Sequence, residues 1–289
     1  MWKPQVGPYP GVIEMIRYRS DLRREIEALK KRAEGIFMRR GPDRVKRPSG
    51  AIEDVIPGVQ VESGGGVFYR VLAGADKIWE DAETFHGEYL EALSDPFAPG
   101  TSKFEPLKIL RDVPIEEICY LDLETTGLSM VPLFLVGLMY TTERKLVVDQ
   151  LFARDYTEEP VVLRFLKGIL RRFKAVVTFN GITFDLPFLS ERMAVAGIEF
   201  SPPEIHLDLL PLARRALKGR TPNHRLQTLE IYLCNRKRIG DVPGSEIPDV
   251  YHEFVRTGDA GDIEGVFHHN RLDLLTMIQL VTVFLSGRC

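Results

Sequence analysis

An α/β domain with a mixed sheet is the architecture to expect from this chain of 289 residues. Two observations lead there. Three apolar, strand-like runs follow one another with short connections, at Ile118–Glu124, Leu133–Tyr140 and Leu146–Phe152, so they pair as sequential antiparallel neighbours. Beyond them helical and strand patterns alternate, and the later strands therefore lie parallel, joined by helical crossovers.

Composition narrows the class. A hydrophobic content of 44% and a charged content of 27% are those of an ordinary globular protein, and the length supports a sizeable core. The formal net charge of −3 gives no overall basicity, although the basic residues are unevenly spread. Cys119, Cys234 and Cys289 are odd in number and far apart, as for reduced thiols rather than a disulfide framework. No apolar run reaches the ~18 residues of a membrane span. The start of the chain lacks a signal peptide's apolar core, so a cytoplasmic protein is expected.

In chain order, Val12–Arg40 reads as a helix, with Ile13, Ile16, Leu22, Ile26 and Leu29 at helical spacing among many Arg and Lys residues. A basic, Pro/Gly-containing linker follows to Gly50. This arm suits a phosphate backbone, or equally a solvated helix whose Glu25, Glu27 and Glu34 pair with the bases. Val59–Val71 reads as a hairpin turning at Ser63–Gly66; no Lys-Ser/Thr follows the glycines, which excludes a nucleotide-binding loop. His86 is expected to pack or hydrogen-bond, ahead of a short amphipathic piece at Glu88–Leu93 and a Pro-rich connection from Asp95 to Pro106.

After the three strands come a helix at Glu158–Phe173, a strand at Ala175–Phe179, a helix at Leu186–Ala196 and a short strand at Ile205–Leu209. Helices near Pro211–Leu217, Leu226–Leu233, Pro248–Thr257 and Asp262–Leu285 close the chain.

Three stretches carry candidate chemistry. In Ile118–Leu128, Tyr120, Asp122 and Glu124 share one strand face, with the two carboxylates about 6–7 Å apart. They either face water or form half of a divalent-cation site, and the following Thr-Thr-Gly lets backbone approach a ligand closely. In Ala175–Leu189, an apolar strand ends in Asn180-Gly181, and Asp185 stands where the next helix begins, as a cap or a third carboxylate. In Gly265–Leu280, Asp273 borders an apolar helical stripe and shares a face with His269 one turn earlier; His268 points elsewhere in an unbroken helix. A histidine one turn from a candidate metal-binding Asp suits a general base.

In this order the motifs Asp122-x-Glu124, Asn180-x-x-x-Phe-Asp185 and His-x(3 or 4)-Asp273 resemble those of the DEDD, or DnaQ-like, ribonuclease H-like exonucleases. The resemblance is closer to one branch, the YprB-type ribonuclease H-like domain, through Leu226–Glu230, Asp241–Pro248 and His268–Asp273, over about residues 114–285. The resemblance implies a ribonuclease H-like mixed sheet, three antiparallel strands then parallel ones, flanked by helices. Together with the residue patterns, this divides the chain into residues 1–50, a basic helix and linker, 51–112, a β-hairpin accessory segment, and 113–289, the expected exonuclease domain. The resemblance further implies Asp122, Glu124, Asp185 and Asp273 as ligands of two divalent ions, Mg²⁺ or Mn²⁺, in a 3′→5′ exonuclease acting on DNA or RNA. Thr125, Thr126, Gly127, Leu128 and Asn180 would bind substrate. The base would be His268 by one subfamily's spacing or His269 by the other's, and helical geometry favours His269. Asp208 matches a further acidic position, expected to support the site. Arg214, Arg215, Lys218, Arg220, Arg225, Arg236, Lys237 and Arg238 offer charge for phosphates, or in part a solvated face. Alternative readings on the same fold are a structure-selective endonuclease and a catalytically silent nucleic-acid-binding module.

Overall fold

Seven strands form one sheet in the order β1-β2-β5-β4-β3-β6-β7 in the computed structural model, which describes residues 49–95, 101–143, 145–238 and 240–287. The strands are β1 Val59–Ser63, β2 Gly66–Gly74, β3 Ile118–Thr125, β4 Leu133–Thr142, β5 Lys145–Phe152, β6 Ala175–Thr178 and β7 Ile205–Asp208. The expected helix at Val12–Arg40 lies outside the described residues.

β3, β4 and β5 are antiparallel, and β6 and β7 run parallel to β3, as the two sequence patterns require. The hairpin of β1 and β2 turns through Gly64 and Gly65, both at positive φ, and β2 then pairs with β5, so the hairpin continues the main sheet. A part-buried Arg70–Asp149 ion pair of 2.7 Å ties these two strands, and Tyr140 donates to the same carboxylate.

Helices cover both faces. On one side lie α2 Glu159–Leu170 and α3 Asp185–Val195, whose Leu163, Leu166, Leu189 and Met193 pack on Cys119, Leu121 and Leu123 of β3. Between them Arg192 forms a buried 2.6 Å ion pair with Glu159, which also accepts the Leu133 N–H. On the other side lie α1 Ala82–Ser94, α4 Leu209–Ala216, α5 Leu226–Leu233 and the long α7 Ile263–Leu285, packed on Ile118, Tyr120 and Val177. α6 Ile247–Thr257 closes a third cluster in which Tyr251 stacks on Phe134 at 3.9 Å between ring centroids.

Two expectations need correction. The helix read as Glu88–Leu93 begins six residues earlier, at Ala82, because Phe85, His86 and Tyr89 are all buried on one face. His86 packs there and lies 3.2 Å from the Thr141 hydroxyl. The connection read as Pro-rich irregular chain contains helical turns at Thr101–Asp112; Phe104, Leu107 and Leu110 bury against α7, with Phe104 stacked on Phe284. Burial of these three side chains outweighs the turn-breaking composition. Among the described residues no helix is long and apolar enough to cross a membrane.

Candidate active site at the carboxyl ends of the parallel strands

β3 and β6 stay paired only as far as Tyr120 and Val177, so the strands part just before Asp122. Such a crevice at the carboxyl ends of parallel strands is where α/β sheets bind ligands. Asp122 and Glu124 stand on the last turn of the pleat on β3, facing α7 rather than the Leu121–Leu123 core. Asp185 is the first residue of α3 and is buried. Asp273 projects from α7.

What brings α7 close is a strand glycine. Gly137 lies opposite Asp122 on β4, and a Cβ there would sit 2.1 Å from the Asn270 side-chain oxygen. Asn270, fully buried, donates to Asp122 Oδ2 at 2.8 Å and accepts from Gln150 at 2.8 Å. Gln150 also donates to the Phe267 carbonyl, so the helix is fastened to the sheet one turn before Asp273. No sequence pattern announces this clamp; a glycine inside a strand was its one visible trace.

The carboxylates influence each other strongly. Burial, then the charges of Asp273, Glu124 and Asp185, push the Asp122 carboxyl well above its ordinary range. Burial, then Asp273 and Asp185, do the same to Glu124. Asp185 is pushed up to about 7, chiefly by burial and with contributions from Asp208 and Asp273, against backbone hydrogen bonds at Asp185 itself and Leu123. Four side chains from three chain segments therefore share one poorly solvated space.

His269 is held by its neighbours. Its Nδ1 lies 2.9 Å from Asp241 Oδ1, and since a carboxylate only accepts, Nδ1 carries the proton there. Nε2 is left facing Asp273 Oδ2 at 3.5 Å. Burial opposes charge on this ring, but the Asp241 hydrogen bond and the charges of Asp273 and Asp241 outweigh it and raise its pKa. His268 sits one residue round the helix, where burial and then Arg271 lower its pKa. The structure thus brings His269, and not His268, against the carboxylates. Asp241, in a stretch without regular structure, was not singled out from the sequence as a partner of the histidine.

The loop after β3 is shaped by a register shift between Glu124 and Thr125. Thr125 and Thr126 are buried and bonded within the loop, to the carbonyls of Gly127 and Pro132, while Leu128 is 87% exposed at its tip. Asn180 adopts a positive φ of 71° at the turn after β6. Asp208 fixes that turn: its carboxylate accepts from the N–H groups of Asn180, Ile182 and Leu210, which uses it as a support and as the cap of α4.

A cleft of about 500 Å³ opens beside the carboxylates, lined by Asp122 and Asp273 with Phe179, Asn180, Arg214 and Arg225. Of the basic cluster read from the sequence, Arg214 and Arg225 line this cleft and are exposed. Arg236 and Arg238 do not serve as free cations: Glu230, Asp241 and Asp273 engage them.

By charge and donor type the four carboxylates fit hard divalent cations, which take oxygen ligands. Among the described residues, however, no three acidic, histidine or cysteine side chains converge on one point as they stand. Arg238 and Asn270 explain part of this, each engaging one oxygen of Asp273 and Asp122 respectively.

Comparison with known proteins places the fold. The chain is 32% identical over 167 residues, 56% of its length, to the uncharacterized protein YprB of Bacillus subtilis, spanning 40% of that protein. It is 33% identical over 84 residues, 28% of its length, to DNA polymerase 1 of Aeropyrum pernix, spanning 9% of it. Among solved structures, the family B DNA polymerase of Pyrobaculum calidifontis matches 58% of this chain and 24% of its own at 16% identity and a TM-score of 0.46. The chain thus spans well under half the length of these relatives. The sequence profile of the RNase H superfamily matches residues 119–285, which run from β3 through the end of α7 and include every carboxylate of the cluster. The chain belongs to the RNase H superfamily, as a YprB-type ribonuclease H-like domain protein.

Proposed function

We propose that this chain is a metal-dependent 3′→5′ exonuclease of the DEDD type acting on DNA or RNA. Asp122, Glu124, Asp185 and Asp273 would hold two Mg²⁺ or Mn²⁺ ions, and His269 would be the general base. One juxtaposition supports the reading: Asp122, Glu124, Asp185 and Asp273, from three chain segments, lie close enough for their charges to act on one another, beside a histidine whose Nδ1 is fixed by Asp241. Such a cluster costs stability unless cations neutralise it, and structural needs alone give no reason to keep it. The one sequence relative named as a DNA polymerase points to nucleic acid as the substrate class.

Divalent ions at these oxygens would supply a more acidic water and stabilise the charge of the leaving 3′-oxygen. The protein's own groups do the rest. His269 Nε2, its lone pair turned toward Asp273 by the proton on Nδ1, accepts the water's proton, and Asp241 steadies the resulting imidazolium. Arg214 and Arg225 meet phosphate oxygens across the cleft, a contact without sequence preference. Thr125, Thr126, Gly127 and the exposed Leu128 bear on the terminal nucleotide, with Asn180 on the facing wall. In this reading residues 1–50 are a basic arm, 51–112 an accessory segment and 113–289 the nuclease domain of a cytoplasmic protein.

An end-labelled strand incubated with Mg²⁺ or Mn²⁺ tests the mode of attack. A ladder of single-nucleotide steps is expected. Discrete internal cuts would replace the reading with a structure-selective endonuclease, and tight binding with no cleavage would leave a silent binding module.

A further inference from the structure

Arg238 is the most heavily committed cation in the described part of the chain. Its side chain is 6% exposed, and each arm of the guanidinium meets a different acid. Nε donates to Glu230 at 2.6 Å, Nη1 to Asp241 at 3.1 Å, and Nη2 to Asp273 Oδ1. Glu230 is fully buried and is held in addition by Arg236, 2.8 Å away, and by the Thr276 hydroxyl. Two arms of Arg238 are therefore anchored outside the carboxylate cluster, and the third reaches into it.

Asp273 lines the same cleft as Asp122, so the guanidinium held against it places a positive charge at the edge of the carboxylate cluster. As it stands, one Asp273 oxygen carries the guanidinium and the other faces His269 Nε2 at 3.5 Å. A divalent ion sharing Oδ1 with Nη2 would bring two positive groups within contact distance in a space with little water, where like charges repel strongly.

We propose that Arg238 is the tethered counter-cation of the metal-free site, and that cation binding at Asp273 requires Nη2 to release Oδ1 while Nε and Nη1 keep their acids. This rests on the metal-site reading above. Release leaves the guanidinium paired with Glu230 and Asp241, so no buried charge is stranded. Arginine suits the role because its rigid fork serves several acceptors at once and it does not lose its proton. The device would keep the cluster folded before metal arrives and set a threshold on metal affinity.

The test is Mn²⁺ affinity of the full chain, read by electron paramagnetic resonance or calorimetry, for wild type, Arg238→Gln, Arg236→Gln and Asp122→Asn. Arg238→Gln is expected to bind Mn²⁺ about tenfold more tightly, equivalent to roughly 1.4 kcal/mol, while its metal-free form melts lower. Arg236→Gln removes the same charge without touching Asp273 and is expected to change the affinity clearly less. Equal or weaker Mn²⁺ binding by folded Arg238→Gln, or equal tightening by Arg236→Gln, would overturn the proposal. Mn²⁺ binding that Asp122→Asn abolishes but Arg238→Gln does not tighten would sink this inference alone. Absence of Mn²⁺ binding by wild type would sink the metal-site reading and this inference with it. If Arg238→Gln does not fold, the wild type still decides. In protein labelled with ¹⁵N-arginine, the Arg238 Nη protons should exchange slowly without metal and faster once Mg²⁺ saturates the site. Exchange that stays slow through saturation contradicts release.

Discussion

Asp185→Asn gives the clearest separation of folding from function, because the same charge that the proposed reaction needs is a burden without metal. Its carboxyl is displaced from 3.8 to about 7 in the folded protein, chiefly by burial. At 1.36 kcal/mol per tenfold in proton affinity, that displacement corresponds to about 4 kcal/mol between the ionised and neutral forms. The sign follows from proton counting. Between about pH 4 and about pH 7 the folded chain holds a proton that the unfolded chain has lost. The stabilising contribution is full below the unfolded value and is lost as pH rises through about 7. Asparagine cannot ionise, so the variant avoids that loss. Its amide replaces one acceptor oxygen and forfeits part of the backbone hydrogen bonding at residue 185 and Leu123, worth about 0.5–1.5 kcal/mol. A net gain of about 2.5–3.5 kcal/mol at about pH 8 in EDTA remains, which is roughly 5–14 °C in melting temperature for a protein of this size. Calorimetric melting of both proteins at about pH 8 and about pH 4.5 is the assay, and the gain should vanish at the lower pH. Saturating Mg²⁺ should reverse the order, because only the wild type is stabilised by binding. An Asp185→Asn variant that melts lower than wild type at about pH 8 in EDTA, or gains equally at both pH values, would refute the electrostatic reasoning.

Other expectations follow from the same contacts. His269→Ala should depress nuclease turnover far more than His268→Ala, since only His269 is bonded to Asp241 and turned toward Asp273; the reverse order in steady-state kinetics would move the base to His268. Arg192→Ala should cost about 3–5 kcal/mol in a urea titration, because it strands the buried Glu159 carboxylate; a loss under about 1 kcal/mol would show that the pair contributes little. Deleting residues 1–50 should weaken nucleic-acid binding and flatten its dependence on salt, since a basic arm adds phosphate contacts. Unchanged binding and slope would make that segment a packing or partner-binding element.

Much of the architecture was legible because its signals are local. The alternation in Ile118–Thr125 fixed which side chains of β3 face α7, and helical spacing in α7 put His269 and Asp273 on one face. What escaped the sequence was set by contacts between distant segments. Gly137, Gln150 and Asn270 form the clamp that seats α7, yet apart from the strand glycine each alone looks like an ordinary strand or helix residue. Asp241 and Arg238 sit in a stretch without periodicity, so nothing local shows that one orients a histidine and the other holds an aspartate. The basic run at 236–238 read as solvent-facing or phosphate-binding, and burial of Glu230 beneath it reversed that for Arg236 and Arg238.

The central claim is that the cluster of Asp122, Glu124, Asp185 and Asp273 hydrolyses phosphodiester bonds with divalent metal. Its most direct test is one degradation assay of wild type, Asp122→Ala and Asp273→Ala, prepared in parallel, on labelled DNA and RNA with Mg²⁺, Mn²⁺ or EDTA. Wild type should degrade at least one substrate in either metal and none in EDTA, while both variants, folded by circular dichroism, should be inactive. Metal-dependent degradation that survives either substitution would contradict the assignment of the site, and a wild type inactive on every substrate would contradict the claim itself.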